Sequence, residues 1–201
     1  MRLTDSIYIG STLSDKATFL KLNMEHQKFL KRDNGLIVFN GGLHIRGCVL
    51  SPNWHSLHYY WLGEGALYKT YNQLTEEDIP FAQDCLGDQF ILRNNIVYIL
   101  SGETGELENL EVSLTEFLIN ANNDPMEYLS LHPLKQFFNE GGKLGIGELL
   151  NVYPLFSTKE SANGVSLKNV PMMEQLNFLK SFYSQTKELN EDNRIKISIK
   201  N

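Results

Sequence analysis

The sequence predicts an α+β fold, with helices at both ends of a central group of hairpin-linked strands. Three observations lead there. Two β-prone runs, Gln89-Phe-Ile-Leu-Arg93 and Ile96-Val-Tyr-Ile-Leu100, flank Asn94-Asn95, a pair that tolerates the left-handed backbone of a tight hairpin. Helix-start signals stand on either side of that hairpin, at Ser14-Asp15, Ser113, Asp124-Pro125 and Pro171. The chain has 201 residues, 42% of them hydrophobic and 21% charged, enough to bury a core without metal or disulfide staples.

Taken in order, Ser14 reads as an N-cap with Asp15 in the first turn. Phe19, Leu22, Phe29 and Leu30 then recur at helical spacing until Asn34-Gly35 stops the run, giving one helix of about 18 residues. Leu36-Ile-Val-Phe39 reads as a buried strand ended by Asn40-Gly41-Gly42, and His44 to Leu50 as another strand. Residues 54–61, WHSLHYYW, hold both tryptophans and two tyrosines. They read as core aromatics of a strand-rich region or, with alternate members exposed, as an interface hot spot. Thr75-Glu76-Glu77-Asp78 reads as a turn or a short helical start before Ile79-Pro80-Phe81-Ala82. After the hairpin, Ser101-Gly-Glu-Thr-Gly105 makes a turn and Leu107 to Leu110 adds a strand. Ser113-Leu-Thr-Glu116 is a capping box opening a helix through Phe117, Leu118 and Ala121, and Asp124-Pro125 starts another. Gly141, Gly142, Gly145 and Gly147 predict a flexible loop before Glu148-Leu-Leu and Val152-Tyr-Pro-Leu-Phe156. Pro171 opens a last helix carrying Met172, Leu176, Leu179 and Phe182 or Tyr183. The tail at 194–200, RIKISIK, alternates like a strand.

Net charge is −6, from 18 Lys and Arg against 24 Asp and Glu, and it is unevenly spread. Residues 1–75 carry +3, residues 76–116 carry −9 and residues 117–201 are neutral. Such a segment attracts basic partners and repels phosphate backbones, so direct nucleic-acid binding is not expected of it. The bland alternative is that these acids merely solubilise strand faces and turns. No apolar run reaches the roughly 18 residues that span a bilayer, and the start, MRLTDSIYIGS, has no long apolar leader. A soluble, single-domain, cytoplasmic protein is expected. Cys48 and Cys85 are too few for a disulfide framework; two buried free thiols are expected, with one bridge as the alternative.

Catalytic and cofactor signals are weak. His55 and His58 with Cys48 upstream invite a zinc reading, yet no second Cys/His pair lies near, and His26, His44 and His132 are isolated. Gly142-Lys-Leu-Gly145-Ile-Gly147 lacks the order of a phosphate loop, because Lys143 precedes the later glycines and no Ser or Thr follows in place. No Gly-x-Ser-x-Gly elbow occurs, and neither cysteine has a recognised nucleophile setting. No catalytic residue, metal or cofactor is expected.

The order of several segments is similar to that of the SUKH superfamily, which includes Smi/Knr-type proteins. Leu36-Ile-Val-Phe-Asn-Gly-Gly-Leu43 resembles the apolar-then-glycine segment after that family's first helix. Ile79-Pro-Phe-Ala-Gln-Asp-Cys-Leu-Gly-Asp-Gln-Phe90 resembles its "faxDxxGdxF" stretch. The Val97-Tyr98 strand, the Glu103-Thr-Gly-Glu turn and the Ser113-Leu-Thr-Glu-Phe-Leu118 helix start follow in family order. The likeness spans about residues 15–120 and leaves an extension over about 121–201, whose Gly145 to Tyr183 part looks like one shared by some bacterial members. It implies one domain with a central, largely antiparallel sheet flanked by helices. It also implies a binding role, since the family includes fungal regulators of cell-wall synthesis and bacterial immunity proteins that neutralise toxins, often nucleases. WHSLHYYW matches no family pattern, and the family supplies no universal binding-residue signature.

Joined to the −9 segment, the resemblance leads to the expectation of a non-enzymatic immunity protein that binds a basic toxin domain. The alternative is a regulatory domain for an endogenous protein. The candidate partner-binding residues are Glu76, Glu77, Asp78, Asp84, Asp88, Glu103 and Glu106 on the acidic side, with Trp54, Tyr59 or Trp61 as anchors. Asp84 and Asp88 flank Gly87, so fixing a turn is the competing role for both. Oligomeric state is left open by the sequence.

Overall fold

The computed structural model describes residues 3–188. The tail pattern at 194–200 lies outside them. The fold is α+β, built on one seven-stranded, wholly antiparallel sheet whose strands follow one another in chain order. These are β1 (Tyr8–Ile9), β2 (Leu36–Val38), β3 (Leu43–Ile45), β4 (Ile79–Asp84), β5 (Gln89–Arg93), β6 (Ile96–Leu100) and β7 (Leu107–Asn109). A separate hairpin-like pair, β8 (Glu148–Tyr153) and β9 (Ser166–Pro171), follows. The β5–β6 turn is the one the sequence announces: Asn94 and Asn95 both take positive φ, 50° and 67°.

The predicted first helix is two. Asp15, not Ser14, caps α1 (Lys16–Leu20), its carboxylate accepting from the Thr18 N–H at 3.1 Å. The Ser14 hydroxyl instead accepts from the Leu50 N–H at 3.2 Å. Asn23 then caps α2 (Met24–Arg32), accepting from His26 N–H at 2.8 Å. A second capping residue eight positions into an apolar-periodic run starts a new helix, and that breaks the expected one. The expected 44–50 strand ends at Ile45, after which Gly47 bridges to Ser56. Residues 54–61 are not a strand. Ser56 accepts from Tyr59 N–H at 3.3 Å and caps α3 (Leu57–Trp61), so strand alternation does not apply there.

The capping box holds in both directions at α4 (Leu114–Asn123), and Asp124 caps α5 (Pro125–Tyr128). Not foreseen were α6 (His132–Asn139), which carries Pro133 in its first turn, and the largely polar β9. The glycine-rich stretch after α6 is a loop, as expected, with Gly141 and Ile146 exposed; within it Leu144 is buried, and a Cβ on Gly142 would stand 2.4 Å from the Phe137 ring. The last helix, α7 (Met172–Thr186), begins after Pro171 as expected.

The sheet is covered on both faces. Phe90, Leu92, Val97, Leu43 and Ile45 point into the main core with Phe29, Leu30, Phe117, Leu118 and Leu134 from the helices. The alternate residues, Ile91 and Leu100, join Tyr60, Leu67, Tyr71, Met172, Leu176 and Tyr183 on the other face. That second face places α7 beside the turn between β6 and β7, where the acidic residues cluster. Among the described residues no helix is long and apolar enough to cross a membrane. Both cysteines are free and buried.

Candidate functional site

The −9 segment does not form one face. Antiparallel pairing sends the start of β4 to the end of β5 and the end of β4 to the start of β5. Glu76, Glu77 and Asp78 therefore lie at one end of the sheet, and Asp84, Asp88, Glu103 and Glu106 at the other. The five residues of β5 separate them by about 16 Å at 3.3 Å per residue.

At the first end, Glu76 and Glu77 are exposed, whereas Asp78 is buried and already committed. Its two oxygens take the Arg93 guanidinium at 2.6 and 2.7 Å, and it also accepts from Thr75 N–H at 2.7 Å. Desolvation opposes its charge, but Arg93 and Thr75 outweigh that and hold its carboxyl below the usual range. Asp78 is thus a latch between a turn and a strand, which corrects the expectation that it is a free acidic contact.

At the second end, Asp84 is buried too. One of its oxygens accepts from the Leu86, Gly87 and Asp88 N–H groups at 2.9, 2.8 and 3.0 Å, around a glycine at φ +105°. The turn-fixing role holds for Asp84, and burial takes it off the surface. Burial, and then the charge of Asp88, push its pKa well above the ordinary value despite the three amides. Asp88 accepts from Gly102 N–H at 2.8 Å, tying the β4–β5 turn to the β6–β7 turn, but it remains only partly buried. Desolvation raises its pKa to about 6, with the nearby Glu103 adding to the rise.

Asp88, Glu103 and Glu106 line one cleft of about 240 Å³, together with Leu86, Val152, Phe156 and Leu179. Its wall opposite the turns comes from β8, the loop after it and α7. Glu103 reaches that wall, accepting from Ser157 N–H at 2.8 Å. Phe156 is 44% exposed, and Tyr153 nearby on the chain is 74% exposed. Among the described residues no Lys or Arg lines the cleft. Three carboxylates beside an apolar floor, one of them bearing a charge its burial disfavours, suit a basic group carried on an apolar stem.

The aromatic candidates fall differently from expectation. Trp61 is 6% exposed and donates its indole N–H to the Glu76 carbonyl at 2.8 Å, so it is a core residue and not a surface anchor. Trp54 is half-buried and packs its ring on Tyr8, His44 and His55. Tyr59 is half-buried and lines a separate cleft of about 270 Å³ with Asp15, Leu50, His58 and Glu64. There Thr18 Oγ1 lies 3.0 Å from His58 Nδ1, and Asp15 lies 3.9 Å from the same nitrogen. A catalytic relay needs the acid and the nucleophile on opposite nitrogens, so this trio lacks that geometry.

No local motif marks the polar layer under the second sheet face. Arg46 is fully buried, with no carboxylate partner among the described residues. It donates to the Pro80 carbonyl at 2.7 Å, to Gln89 Oε1 at 2.6 Å and to Gln83 Oε1, and its guanidinium stacks 4.1 Å from the Tyr60 ring centroid. Burial lowers its pKa to about 10. His44, isolated in sequence, lies 2.8 Å from His55, whose other nitrogen reaches the Asn34 carbonyl at 3.2 Å. Burial lowers both pKa values, His55 to about 4, so both rings are neutral at pH 7. No sequence signal brings these groups together; sheet register does, with His44 and Gln83 direct cross-strand partners and Arg46 two positions on. Also missed were Phe156 and Ser157, which no sequence motif marks.

Among the described residues no three His, Cys, Asp or Glu side chains gather where a metal ion could be held. In comparisons with known proteins, no family model matches the chain and no curated protein matches it.

Proposed function

We propose that this protein is a SUKH-type immunity protein, a non-enzymatic cytoplasmic binding domain that neutralises a cognate toxin by occupying its basic surface. The observation that carries this reading is the cleft of Asp88, Glu103 and Glu106 beside exposed Phe156, with no basic side chain along it among the described residues. A nuclease toxin holds phosphates with Lys and Arg. An acidic inhibitor is drawn to that surface at a steered rate and keeps nucleic acid off it. Phe156, 44% exposed, supplies an aromatic surface that charge alone lacks, and aromatic residues are enriched at interfaces. The fold supports the family resemblance in part: the strands quoted for it run in order through one antiparallel sheet.

The test is to capture the partner from the producing cell at physiological salt, purify it and assay its toxicity with and without this protein. A basic protein whose toxic activity disappears on mixing fits the proposal. A partner with no toxic activity, drawn from envelope synthesis or housekeeping, would replace it with the regulatory reading.

A further inference from the structure

Among the described residues, strand β7 leaves one edge of the seven-stranded sheet unpaired. The Glu106 carbonyl accepts from Ser101 N–H at 2.9 Å, and Leu110 N–H donates to the Val97 carbonyl at 3.0 Å. Residues 106, 108 and 110 therefore turn their backbone groups toward β6, and period-two geometry turns those of Leu107 and Asn109 outward. Among the described residues, no hydrogen bond from another element reaches those outward groups. Edges of this kind are templates for another strand, and proteins guard them with charge. Here the guard has one sign. Glu108 and Glu111 are exposed on the edge, Glu106 begins it, and no Lys or Arg occurs between Arg93 and Lys135.

We propose that the β7 edge receives an extended, basic segment of the partner protein as an added antiparallel or parallel strand. Main-chain bonds to Leu107 and Asn109 supply pairing, and the flanking glutamates select Lys or Arg at alternate positions. Charge argues against a second copy as the occupant, since pairing edge to edge would set Glu108 and Glu111 against themselves. The edge runs on from the Glu103–Glu106 turn, so a strand lying along it continues into the cleft. The proposal rests on the reading that this acidic end binds a basic protein, and adds the backbone mode by which it does so.

The probe is a capped peptide of about eight residues alternating Lys and Val, set against an isomer of equal charge whose alternate residues have D configuration and cannot extend as a strand. With the full chain at low salt, the all-L peptide is expected to bind about tenfold tighter than the isomer and to protect the Leu107 and Asn109 amides from hydrogen exchange. Asn109→Pro, which deletes an outward donor, is expected to lose that preference, while Asn109→Ala keeps it. Exchange in the unaltered protein gives the answer even if the proline variant is unfolded. Equal binding of the two peptides would overturn strand addition and leave the acidic reading standing; binding of neither would remove both. Leu107 and Asn109 amides already protected in the free full-length chain would mean the edge is covered by the chain itself or by a second copy, and would also overturn it.

Discussion

Replacing Asp88 by Asn should stabilise the protein at neutral pH and lose that advantage in acid. The side chain is partly buried between two turns, and desolvation raises its pKa from an ordinary 3.8 to about 6. A raised acid is unfavourable when ionised: the folded state binds its proton more tightly than the unfolded state does. The favourable contribution is fully present below pH 3.8 and is lost as pH rises through 6. The interval between the two values corresponds to about 3 kcal/mol at 1.4 kcal/mol per tenfold change, and solvent reaching the cleft reduces this to about 2 kcal/mol. The substituted amide would keep an oxygen for the Gly102 N–H, so the bond between turns survives. Urea unfolding from pH 3.5 to 8 measures the effect. Asp88→Asn is expected to exceed the unaltered protein by about 2 kcal/mol at pH 7.5, with the gap closing between pH 6 and 4. A gap independent of pH, or a less stable variant at pH 7.5, would refute the reasoning. A basic partner group would relieve the same penalty, so the charge that destabilises the free fold would strengthen the complex.

Three further outcomes are expected. Arg46→Met should cost about 3 kcal/mol in urea unfolding, because it leaves Gln83 Oε1 and Gln89 Oε1 buried without donors; a cost under about 1 kcal/mol would mean the glutamines re-pair. Gly105→Ala should lower stability by about 2–3 kcal/mol, since Gly105 has φ +71° and a Cβ there would lie 2.3 Å from the Tyr183 ring; differential scanning calorimetry would show it, and an unchanged Tm would contradict the packing of α7 on this turn. Ser113→Ala should remove about 1 kcal/mol by opening the capping box, checked by the same melts.

Local signals were legible wherever a few adjacent residues decide the outcome. The Asn94-Asn95 hairpin, the Ser113–Glu116 box, the Asp124-Pro125 start and the opening of α7 at Pro171 all stand as read. Reading failed where two local rules compete. Apolar spacing from Phe19 to Leu30 favours one helix, but the side chain of Asn23 starts a second. The aromatics of 54–61 suit a strand, but Ser56 caps them into a helix that buries Leu57, Tyr60 and Trp61. For the site, charge counting located the acidic segment yet could not say which carboxylates were already engaged. Asp78 is taken by Arg93, fifteen residues away, and Asp84 by its own turn. Antiparallel pairing then divides the remainder between opposite ends of the sheet, a long-range fact that no local pattern encodes. The same holds for Arg46, whose partners lie on β4 and β5.

That division supplies the most direct test of the binding site. The measurement is the affinity of the captured partner, across a salt series, for Glu103→Lys/Glu106→Lys and for Glu76→Lys/Glu77→Lys. Both double variants change net charge equally, and they stand at opposite ends of the sheet. If the cleft holds the partner, the 103/106 variant loses affinity by about a hundredfold at low salt and the 76/77 variant by only a few-fold. Equal losses from both, or a larger loss from the 76/77 variant, would contradict the assignment of the site to the Asp88, Glu103 and Glu106 cleft.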